Sequence, residues 1–368
     1  MTELPTLPAG PDLLDTAVPL LDLRAPIEVA KGALVNAASL PLLTDAERHE
    51  VGVRYQAAGQ AAAIALGETL VAGAVRAARV QQWLDFAVAH PGATLFCWRG
   101  GLRSAFVQRW LADAGTVLPR VAGGYKALRQ VALQTLHDAA GHPRQVLVLG
   151  GPTGSGKTAL LREFAAAIDL EDLAKHRGSA FGGRTEPQPT QTTFENSLAH
   201  ALLAQWRNDH AATLYEDESH LIGRTVLPEA LFLRLKRSAL VIVDVPLEDR
   251  ALHIRLEYVD EPLAHLIQAG AADPHEALAA RLTASLGRVQ RRLGGQRHDL
   301  VLHDLAAAFA DHAQTGDPTA HRHWIEALLE HYYDPMYAYQ QRNHGRSVTF
   351  RGDPRAVQDY LATAVAPR

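Results

Sequence analysis

Cysteine is almost absent from this chain, since Cys97 is its only one in 368 residues. A single thiol excludes an intrachain disulfide and suits a reducing compartment. It also leaves no second cysteine to resolve a persulfide, so any group carried on Cys97 has to pass directly to a substrate or an outside reductant. No apolar run reaches the roughly 18 residues of a membrane span, and the N-terminus lacks the basic and then apolar order of a secretion signal. We therefore expect a cytoplasmic protein without a membrane partner.

The rest of the composition is that of an ordinary globular protein. Hydrophobic residues make up 47% and charged residues 21% of the chain, and the formal net charge is −4, which argues against a protein that is basic overall. At ~150 residues per domain, the length allows two or three units. Glycine and proline in Gly141-His142-Pro143 indicate a boundary. We predict a first domain over residues 12–138 and a second over 144–368.

Cys97 stands where nucleophile chemistry would place it, at the end of an apolar run and at the start of a loop with two glycines and two arginines. These four residues are Gly100, Gly101, Arg99 and Arg103. Free backbone N–H groups and positive charge both favour the thiolate over the thiol, and such a loop also binds an oxyanion. The alternative is a buried structural cysteine, because a free cysteine packs as a small hydrophobe.

The residues around Cys97 resemble the active-site loop of rhodanese-like sulfurtransferases, in which a cysteine carries a transferable sulfur as a persulfide. Arg103 stands six positions after Cys97, a spacing that cysteine phosphatases also use, so a phosphatase remains open on this loop alone. Upstream, 19–24 and 32–37 are predicted as successive buried strands of a rhodanese-like unit. Downstream, 121–125 resembles the closing turn of that family.

The second motif is a Walker A loop in the setting that it requires. An apolar strand from Val146 leads into the glycine-rich loop, and 159–168 is predicted as the helix that follows. Backbone N–H groups and the helix dipole together hold phosphates in such a loop. The expected diphosphate-binding residues are Gly151, Thr153, Gly154, Ser155, Gly156, Lys157 and Thr158. Lys157 would neutralise the terminal phosphates and Thr158 would hold Mg²⁺. The loop predicts a ligand with a diphosphate-like group, and ATP is only the commonest such ligand.

Short apolar segments at 211–215 and 239–243 alternate with helical ones, which predicts a parallel sheet. Carboxylates follow both segments, at the edge where such a sheet faces its ligand. One of Glu216, Asp217 and Asp244 is therefore expected to organise Mg²⁺, with Asp217 as the candidate. Caps or turns are the alternative for each of them.

Two further segments are candidates for substrate contacts. His176, Arg177 and Ser179 lie in a glycine-rich stretch that suggests a mobile substrate loop, with an ordinary surface loop as the alternative. In 281–292 the apolar residues share one helical face and the arginines fall on another. Such arginines could bind phosphate of RNA or of a ligand, or form a solvated face. The arginines expected to contact tRNA or phosphate are Arg288, Arg291 and Arg292.

In their order, these motifs resemble the bacterial tRNA 2-selenouridine synthases over nearly the whole chain. The motifs are Phe-Cys-Trp-Arg-Gly-Gly-Leu-Arg-Ser, Gly-Pro-Thr-Gly-Ser-Gly-Lys-Thr, His-Arg-Gly-Ser-Ala-Phe-Gly, Glu-Asp-Glu-Ser and Tyr-Tyr-Asp-Pro-Met-Tyr. The resemblance implies the α/β class, with a rhodanese-like α/β domain followed by a P-loop NTPase-like parallel-sheet α/β domain with helical C-terminal additions. One departure is Leu102, where methionine is expected, and that exchange conserves volume.

The same resemblance implies an enzyme that acts on 2-thiouridine at the wobble position of certain tRNAs. Its co-substrates would be selenophosphate and geranyl diphosphate, and an enzyme that supplies selenophosphate would be a partner, whereas DNA would not. Cys97 matches the selenium-carrying cysteine of the family, with Arg99 and Arg103 as further catalytic residues. The rest of the selenophosphate-binding loop would be Trp98, Gly100, Gly101 and Leu102. A thiocarbonyl sulfur is a poor leaving group, whereas the thioether formed by geranylation departs as a thiol. Alkylation would therefore activate C2 of the base towards a selenium nucleophile.

Two other classes of function stay open at this point. An ATP-dependent tRNA sulfurtransferase would use the Walker loop to activate an oxygen on the base, and it would hydrolyse ATP when tRNA is added. A P-loop kinase with an appended rhodanese or phosphatase domain would ignore tRNA altogether.

Overall fold

The computed structural model describes residues 4–15, 17–183, 186–344 and 346–367. The chain divides into two compact units. The first consists of Met1–Gly141 and Pro189–Arg207, and the second of His142–Gln188 and Asn208–Arg368. Each unit contains its own parallel sheet and its own hydrophobic core.

The first unit is built on a five-stranded sheet. Its strands are β1 (Thr6–Leu7), β2 (Leu20–Asp22), β3 (Ala37–Ser39), β4 (Thr94–Phe96) and β5 (Arg120–Val121). They lie in the order β1-β5-β4-β2-β3, and every pairing is parallel. All residues of β2 and β4 are buried, as expected for central strands of a sheet that is covered on both faces.

The helices that follow these strands are α1 (Pro26–Val29), α2 (Asp45–Leu70), α3 (Gly73–Ala89), α4 (Leu102–Asp113) and α5 (Gly124–Asp138). Thr44 and Glu47 form a capping box that starts α2, and Gly59 interrupts this helix with a φ of +79°.

Within the described ranges, no single helix is long and apolar enough to cross a membrane. Only α2 and α3 taken together, bent by 85°, have the length and composition of a span.

The second unit contains another five-stranded parallel sheet and a short hairpin. Its strands are β6 (Gln145–Gly150), β7 (Ala167–Ile168), β8 (Ala212–Glu216), β9 (Leu221–Ile222), β10 (Thr225–Val226), β11 (Ala239–Val243) and β12 (Val348–Gly352). The sheet order is β12-β11-β6-β8-β7, and β9 and β10 form the hairpin. This arrangement confirms the predicted parallel sheet, because the apolar runs at 146–150, 212–216 and 240–243 are its buried central strands.

The helices around this sheet are α6 (Lys157–Arg162), α7 (Leu170–Leu173), α9 (Glu229–Arg237), α10 (Leu247–Arg255), α11 (Glu261–Gln268), α12 (Pro274–Leu293), α13 (Gly295–Thr315), α14 (His321–Leu328), α15 (Asp334–His344) and α16 (Pro354–Val365). The helical C-terminal region is thereby confirmed. Leu282, Leu286 and Val289 of α12 are buried in its core, as their helical spacing predicts. Gly294, with a φ of +90°, ends α12.

Helix α8 (Gln191–Arg207) follows α7 in the chain but belongs to the first unit. Its Asn196 is buried, donates to the Ala33 carbonyl at 2.8 Å and accepts from Arg129 at 2.9 Å. This segment lies inside the range predicted for the second domain. The division at 138–144 and the rhodanese-like character of the first unit remain predictions.

Two predicted elements are wrong in their bounds. The strand predicted at 32–37 starts only at Ala37, because the preceding backbone turns and the Gly32 carbonyl accepts from the buried Arg24 side chain at 2.9 Å. The helix predicted at 159–168 ends at Arg162, because the N–H groups of the next two residues bond three positions back at 3.3 and 3.1 Å. The chain then enters β7, which pairs with β8.

Candidate functional site

Cys97 is the first residue after β4 and is 1% exposed. Its Sγ lies 3.5 Å from Ser104 Oγ, within the first turn of α4. The loop between strand and helix turns through Gly100 and Gly101, whose φ values are +75° and +74°. The strand therefore brings the thiol to a glycine turn and a helix N-terminus, which places it as the sequence predicts.

The turn that precedes α5 holds the backbone of this loop. The Tyr125 N–H donates to the Cys97 carbonyl at 2.7 Å, and the Lys126 N–H donates to the Trp98 carbonyl at 3.1 Å. Gly124 has a φ of +60°, and a Cβ there would meet the Cys97 oxygen at 2.3 Å. Only glycine fits this close approach without displacing the cysteine.

The two arginines of the loop have different surroundings. Arg103 forms a two-pronged ion pair with Glu28, with distances of 2.5 and 3.0 Å. Burial opposes ionisation of Glu28, but Arg103 outweighs it and lowers the pKa of this carboxyl. Arg99 is exposed, as are Trp98, Gly100 and Leu102. Arg99 is therefore open to solvent, whereas the charge of Arg103 is largely balanced by Glu28.

The Walker loop of the second unit runs from β6 into α6. A Cβ on Gly151 would meet the Val243 carbonyl at 2.7 Å, and one on Gly154 would meet the Arg250 carbonyl at 2.7 Å. Glycine is therefore required where neighbouring backbone approaches the loop. Lys157 Nζ donates to the Gly151 carbonyl at 2.9 Å, so its ammonium group lies at the loop.

Thr158 faces a group of carboxylates. Its Oγ1 lies 3.0 Å from Glu216 Oε2 and 3.2 Å from Glu171 Oε2. With Glu218, these two residues bring three carboxylate oxygens within 4.8 Å of one another. Burial and the neighbouring Glu171 raise the pKa of Glu216 well above its usual range, and burial with Glu171 raises that of Glu218 to about 8. We call Glu171, Glu216 and Glu218 the carboxylate cluster.

The carboxylate that the structure brings to Thr158 is Glu216 rather than Asp217. Asp217 pairs with Lys236 at 2.7 Å and with Arg346 at 2.6 Å. Burial opposes ionisation of Asp217, but these two cations outweigh it and lower its pKa. Asp244 is half-exposed and pairs with Arg351 at 3.0 Å. Two cations already balance Asp217, so its charge is less available to a metal ion.

A cavity of about 350 Å³ in the second unit opens above the Walker loop and the carboxylate cluster. Such a volume falls in the range of small-molecule sites. Aromatic and thioether side chains also line it, namely Tyr258, Tyr332, Tyr333, Met336 and Tyr337. An adjoining pocket is almost wholly apolar, with Phe181, Ile254, Trp324 and Leu328 among its lining residues.

The predicted substrate loop lies at this cavity in part. Arg177 and Ser179 line it, and Ser179 Oγ lies 2.9 Å from the Tyr258 hydroxyl. The Gly178 N–H donates to Glu171 of the carboxylate cluster. His176 forms a β-bridge with Gly183 and is not one of the cavity-lining residues.

The three arginines predicted on α12 have different surroundings in the structure. Arg292 lines the cavity. Arg288 donates to the Ala180 carbonyl at 2.5 Å and to Ser285 Oγ at 2.6 Å, so it holds the segment around Ala180. Arg291 is exposed. Sequence reasoning missed two members of the carboxylate cluster. Glu171 lies on a short helix without a motif, whereas Glu218 stands in the Glu-Asp-Glu run but was not among the predicted carboxylates.

Comparison with known proteins shows which family this chain resembles. Residues 144–367 match the family model described as the tRNA 2-selenouridine synthase AAA domain. The tRNA 2-selenouridine synthase of Hahella chejuensis (strain KCTC 2396) is 48% identical over 353 residues, which cover 95% of this chain and 93% of that protein. The protein of the same name from Cupriavidus pinatubonensis (strain JMP 134 / LMG 1197) is 46% identical over 94% of this chain and 95% of its own. A third, from Aeromonas salmonicida (strain A449), is 46% identical over 100% of this chain and 99% of its own. Identity of this level over both units shows that the chain belongs to the tRNA 2-selenouridine synthase family.

Proposed function

We propose that this enzyme replaces the sulfur of a wobble 2-thiouridine in tRNA with selenium, through an S-geranylated intermediate. Family membership over both units is the observation that carries the tRNA and selenium parts of this proposal. Geranyl diphosphate would be the alkylating co-substrate and selenophosphate the selenium donor. Overall, the geranylated nucleoside, selenophosphate and water would give selenouridine, geranyl thiol and phosphate.

The loop after β4 is our candidate for the selenium half-reaction. The Cys97 thiol lies next to the first turn of α4, and Arg99 is the exposed cation beside it. A tetrahedral anion such as selenophosphate fits free N–H groups and an exposed guanidinium. The Cys97 thiolate would displace geranyl thiol from C2 of the base, and the selenium of selenophosphate would then displace Cys97 from C2, after which water releases phosphate. Arg99 and the loop backbone would hold the phosphate part of selenophosphate.

The cavity of the second unit is our candidate for geranyl transfer. The Walker loop with Lys157 is suited to a diphosphate head. The tyrosines and Met336 that line the same cavity offer the apolar contacts that a hydrocarbon chain requires. The adjoining apolar pocket has a volume of only about 20 Å³, so the ten-carbon chain would enter it only after outward movement of the segment around Ser179 and Phe181.

The carboxylate cluster fits a divalent cation. Oε1 of the buried Glu216 has no hydrogen-bond partner among the described residues, and several carboxylate oxygens with a hydroxyl are the ligands that Mg²⁺ prefers. Thr158, Glu171, Glu216 and Glu218 would hold the ion, which when bound would offset the charge of departing pyrophosphate. Lys157, whose ammonium group lies at the loop, would neutralise the same charge.

Replacing Glu216 with glutamine should weaken binding of Mn²⁺, used as a probe for Mg²⁺, by at least tenfold, because loss of even an outer-sphere partner costs ~10–100-fold. Calorimetric titration of the full chain measures this. The raised pKa of Glu218, about 8, also predicts that Mn²⁺ binds more tightly as the pH rises towards 8, since protons compete with the metal.

Asp244→Asn is the matched control, because Asp244 follows another strand of the same sheet, β11, but pairs with Arg351 outside the cluster. It should bind Mn²⁺ like the unmodified chain. Equal affinities in the Glu216→Gln variant and the unmodified chain would remove the metal from the carboxylate cluster.

The proposed function as a whole is tested by mass spectrometry of wobble nucleosides from cells with and without this chain. We expect 2-selenouridine to disappear and 2-thiouridine to accumulate when the chain is absent. ATP hydrolysis stimulated by tRNA, with no change in selenouridine, would favour the sulfurtransferase alternative instead.

A further inference from the structure

The first unit contains a cavity of about 400 Å³, a volume in the range of small-molecule sites. Most of the side chains that line it are apolar, and they come from α2, from α4 and from the segment that precedes α2. Among them are Leu43, Val51, Ala63, Ile64, Phe106 and Trp110. Ligand sites are typically lined in this way, by hydrophobic and aromatic side chains with a few polar groups.

Helix α2 lines this cavity without burying its own apolar side chains. Of its 26 residues, all of which the structure describes, only Ala63 is buried. Val51 and Ile64 line the cavity but are only half-buried, and Tyr55, which also lines it, is 57% exposed. A hydrocarbon that covers these side chains removes their apolar surface from water, which favours its binding.

The cavity adjoins the loop that follows Cys97. Two of the three charged residues in its lining, Arg99 and Arg103, belong to this loop, and the third lies on α2. Leu43 and Val71, which also line the cavity, pack in the same apolar cluster as Cys97. A ligand with a polar part at the cysteine loop and a hydrocarbon chain beside it therefore fits this place.

We propose that this cavity binds the geranyl chain of the S-geranylated nucleoside while Cys97 reacts with C2 of the base. The proposal rests on the proposed function, in which the base reaches Cys97 with a ten-carbon chain on its sulfur. When the Cys97 thiolate bonds to C2, the bond from C2 to the geranylated sulfur breaks. The sulfur leaves as geranyl thiol, with the proton that Cys97 lost. Selenophosphate is an anion without an apolar part, so it is left to Arg99 and the loop backbone.

A cavity for the chain also sets the order of the two half-reactions. 2-Thiouridine and 2-selenouridine both lack a hydrocarbon chain, so neither gains binding free energy from an apolar cavity. The S-geranylated base does gain it. The first unit therefore selects the alkylated nucleoside and releases the product once geranyl thiol has left.

The test uses the full-length chain and two anticodon stem-loops, one with S-geranyl-2-thiouridine and one with S-methyl-2-thiouridine. With selenophosphate and water, each gives selenouridine, phosphate and the corresponding thiol. The measured quantity is the ratio of kcat/KM for the S-geranyl substrate to kcat/KM for the S-methyl substrate. Because partial misfolding lowers both values together, it leaves this ratio unchanged.

Two variants alter the cavity and one serves as the control. Ala63→Leu fills the cavity from a position that is 5% exposed. Tyr55→Asp places a charge in the lining at an exposed position, where the fold tolerates it. Ala61→Leu makes the same exchange as the first variant at an exposed alanine of α2 that does not line the cavity. Should Ala63→Leu fail to fold, Tyr55→Asp decides.

We expect the unmodified chain to favour the S-geranyl substrate by about 10²-fold or more. Each buried CH₂ contributes about fourfold, so burial of about four of the nine additional carbons is sufficient. Ala63→Leu should lower the ratio about tenfold, by the loss of about two such contacts, and Tyr55→Asp should also lower it. Ala61→Leu should leave it as it is.

A ratio below about tenfold in the unmodified chain overturns the proposal. So does a ratio that neither cavity variant lowers further than Ala61→Leu does. Failure of the unmodified chain to form selenouridine from either substrate is a different result, which overturns the proposed function itself.

Discussion

Cys97→Ser should abolish selenouridine while S-geranylated tRNA continues to form. A serine hydroxyl is far less acidic and far less nucleophilic than a thiol, so we expect selenouridine to fall by roughly 10³-fold or more, as for other lost nucleophiles. The change is nearly isosteric at a residue that is 1% exposed, so the fold should tolerate it. The measurement is mass analysis of nucleosides after incubation with thiolated tRNA, geranyl diphosphate and selenophosphate.

Geranylation by the same variant is the internal control for folding. A Cys97→Ser protein that geranylates tRNA normally but makes no selenouridine assigns the thiol to the second half-reaction. Normal selenouridine from this variant would refute that role and leave Cys97 as a buried packing residue.

Lys157→Ala should block geranyl transfer by at least ~10²-fold, since loss of one group that stabilises developing negative charge costs about 10²–10³ in rate. The ammonium group lies at the loop expected to hold diphosphate, and pyrophosphate leaves with increasing negative charge. Product mass analysis with geranyl diphosphate and thiolated tRNA measures the loss. When RNA that is already geranylated is supplied, the variant should make selenouridine at the normal rate.

Lys31→Ala removes an equal charge from an exposed position of the first unit and serves as the control. It should retain both half-reactions. Unchanged geranyl transfer in Lys157→Ala would separate the Walker loop from alkylation and reopen a role for it in ATP binding. The two main variants are expected to fail in opposite halves of the reaction.

The two glycine-rich loops could be found from the sequence because each is a local structure. A position that requires a positive φ, as at Gly100 and Gly101, is occupied by glycine and can therefore be recognised in the sequence. An apolar run followed by such a loop predicts a strand that delivers the next side chain to a ligand. Cys97 and Lys157 were therefore visible before any tertiary contact was known.

The bounds of short elements and the partners of charged groups were not visible in the same way. The strand at Ala37 and the end of α6 depend on contacts with Arg24 and with β8, which lie elsewhere in the chain. Asp217 and Glu216 are neighbours in sequence and point to opposite surroundings, one to Lys236 and Arg346 and the other to Thr158. Alternation of side chains along a strand separates them, and only the sheet decides which face holds which partner.

The sequence by itself determined where the candidate residues stand, namely a single thiol at the end of a strand and a lysine and a threonine in a glycine-rich loop. It also determined the parallel sheet of the second unit, because uninterrupted apolar runs are stable only when both faces of a strand are covered. Tertiary structure alone decided that Glu171 joins Glu216 beside Thr158, that Glu28 balances Arg103, and that Arg24 and Tyr125 support Trp98. Such juxtapositions arise from packing between distant segments, where charge and shape are matched in space without any fixed spacing along the chain.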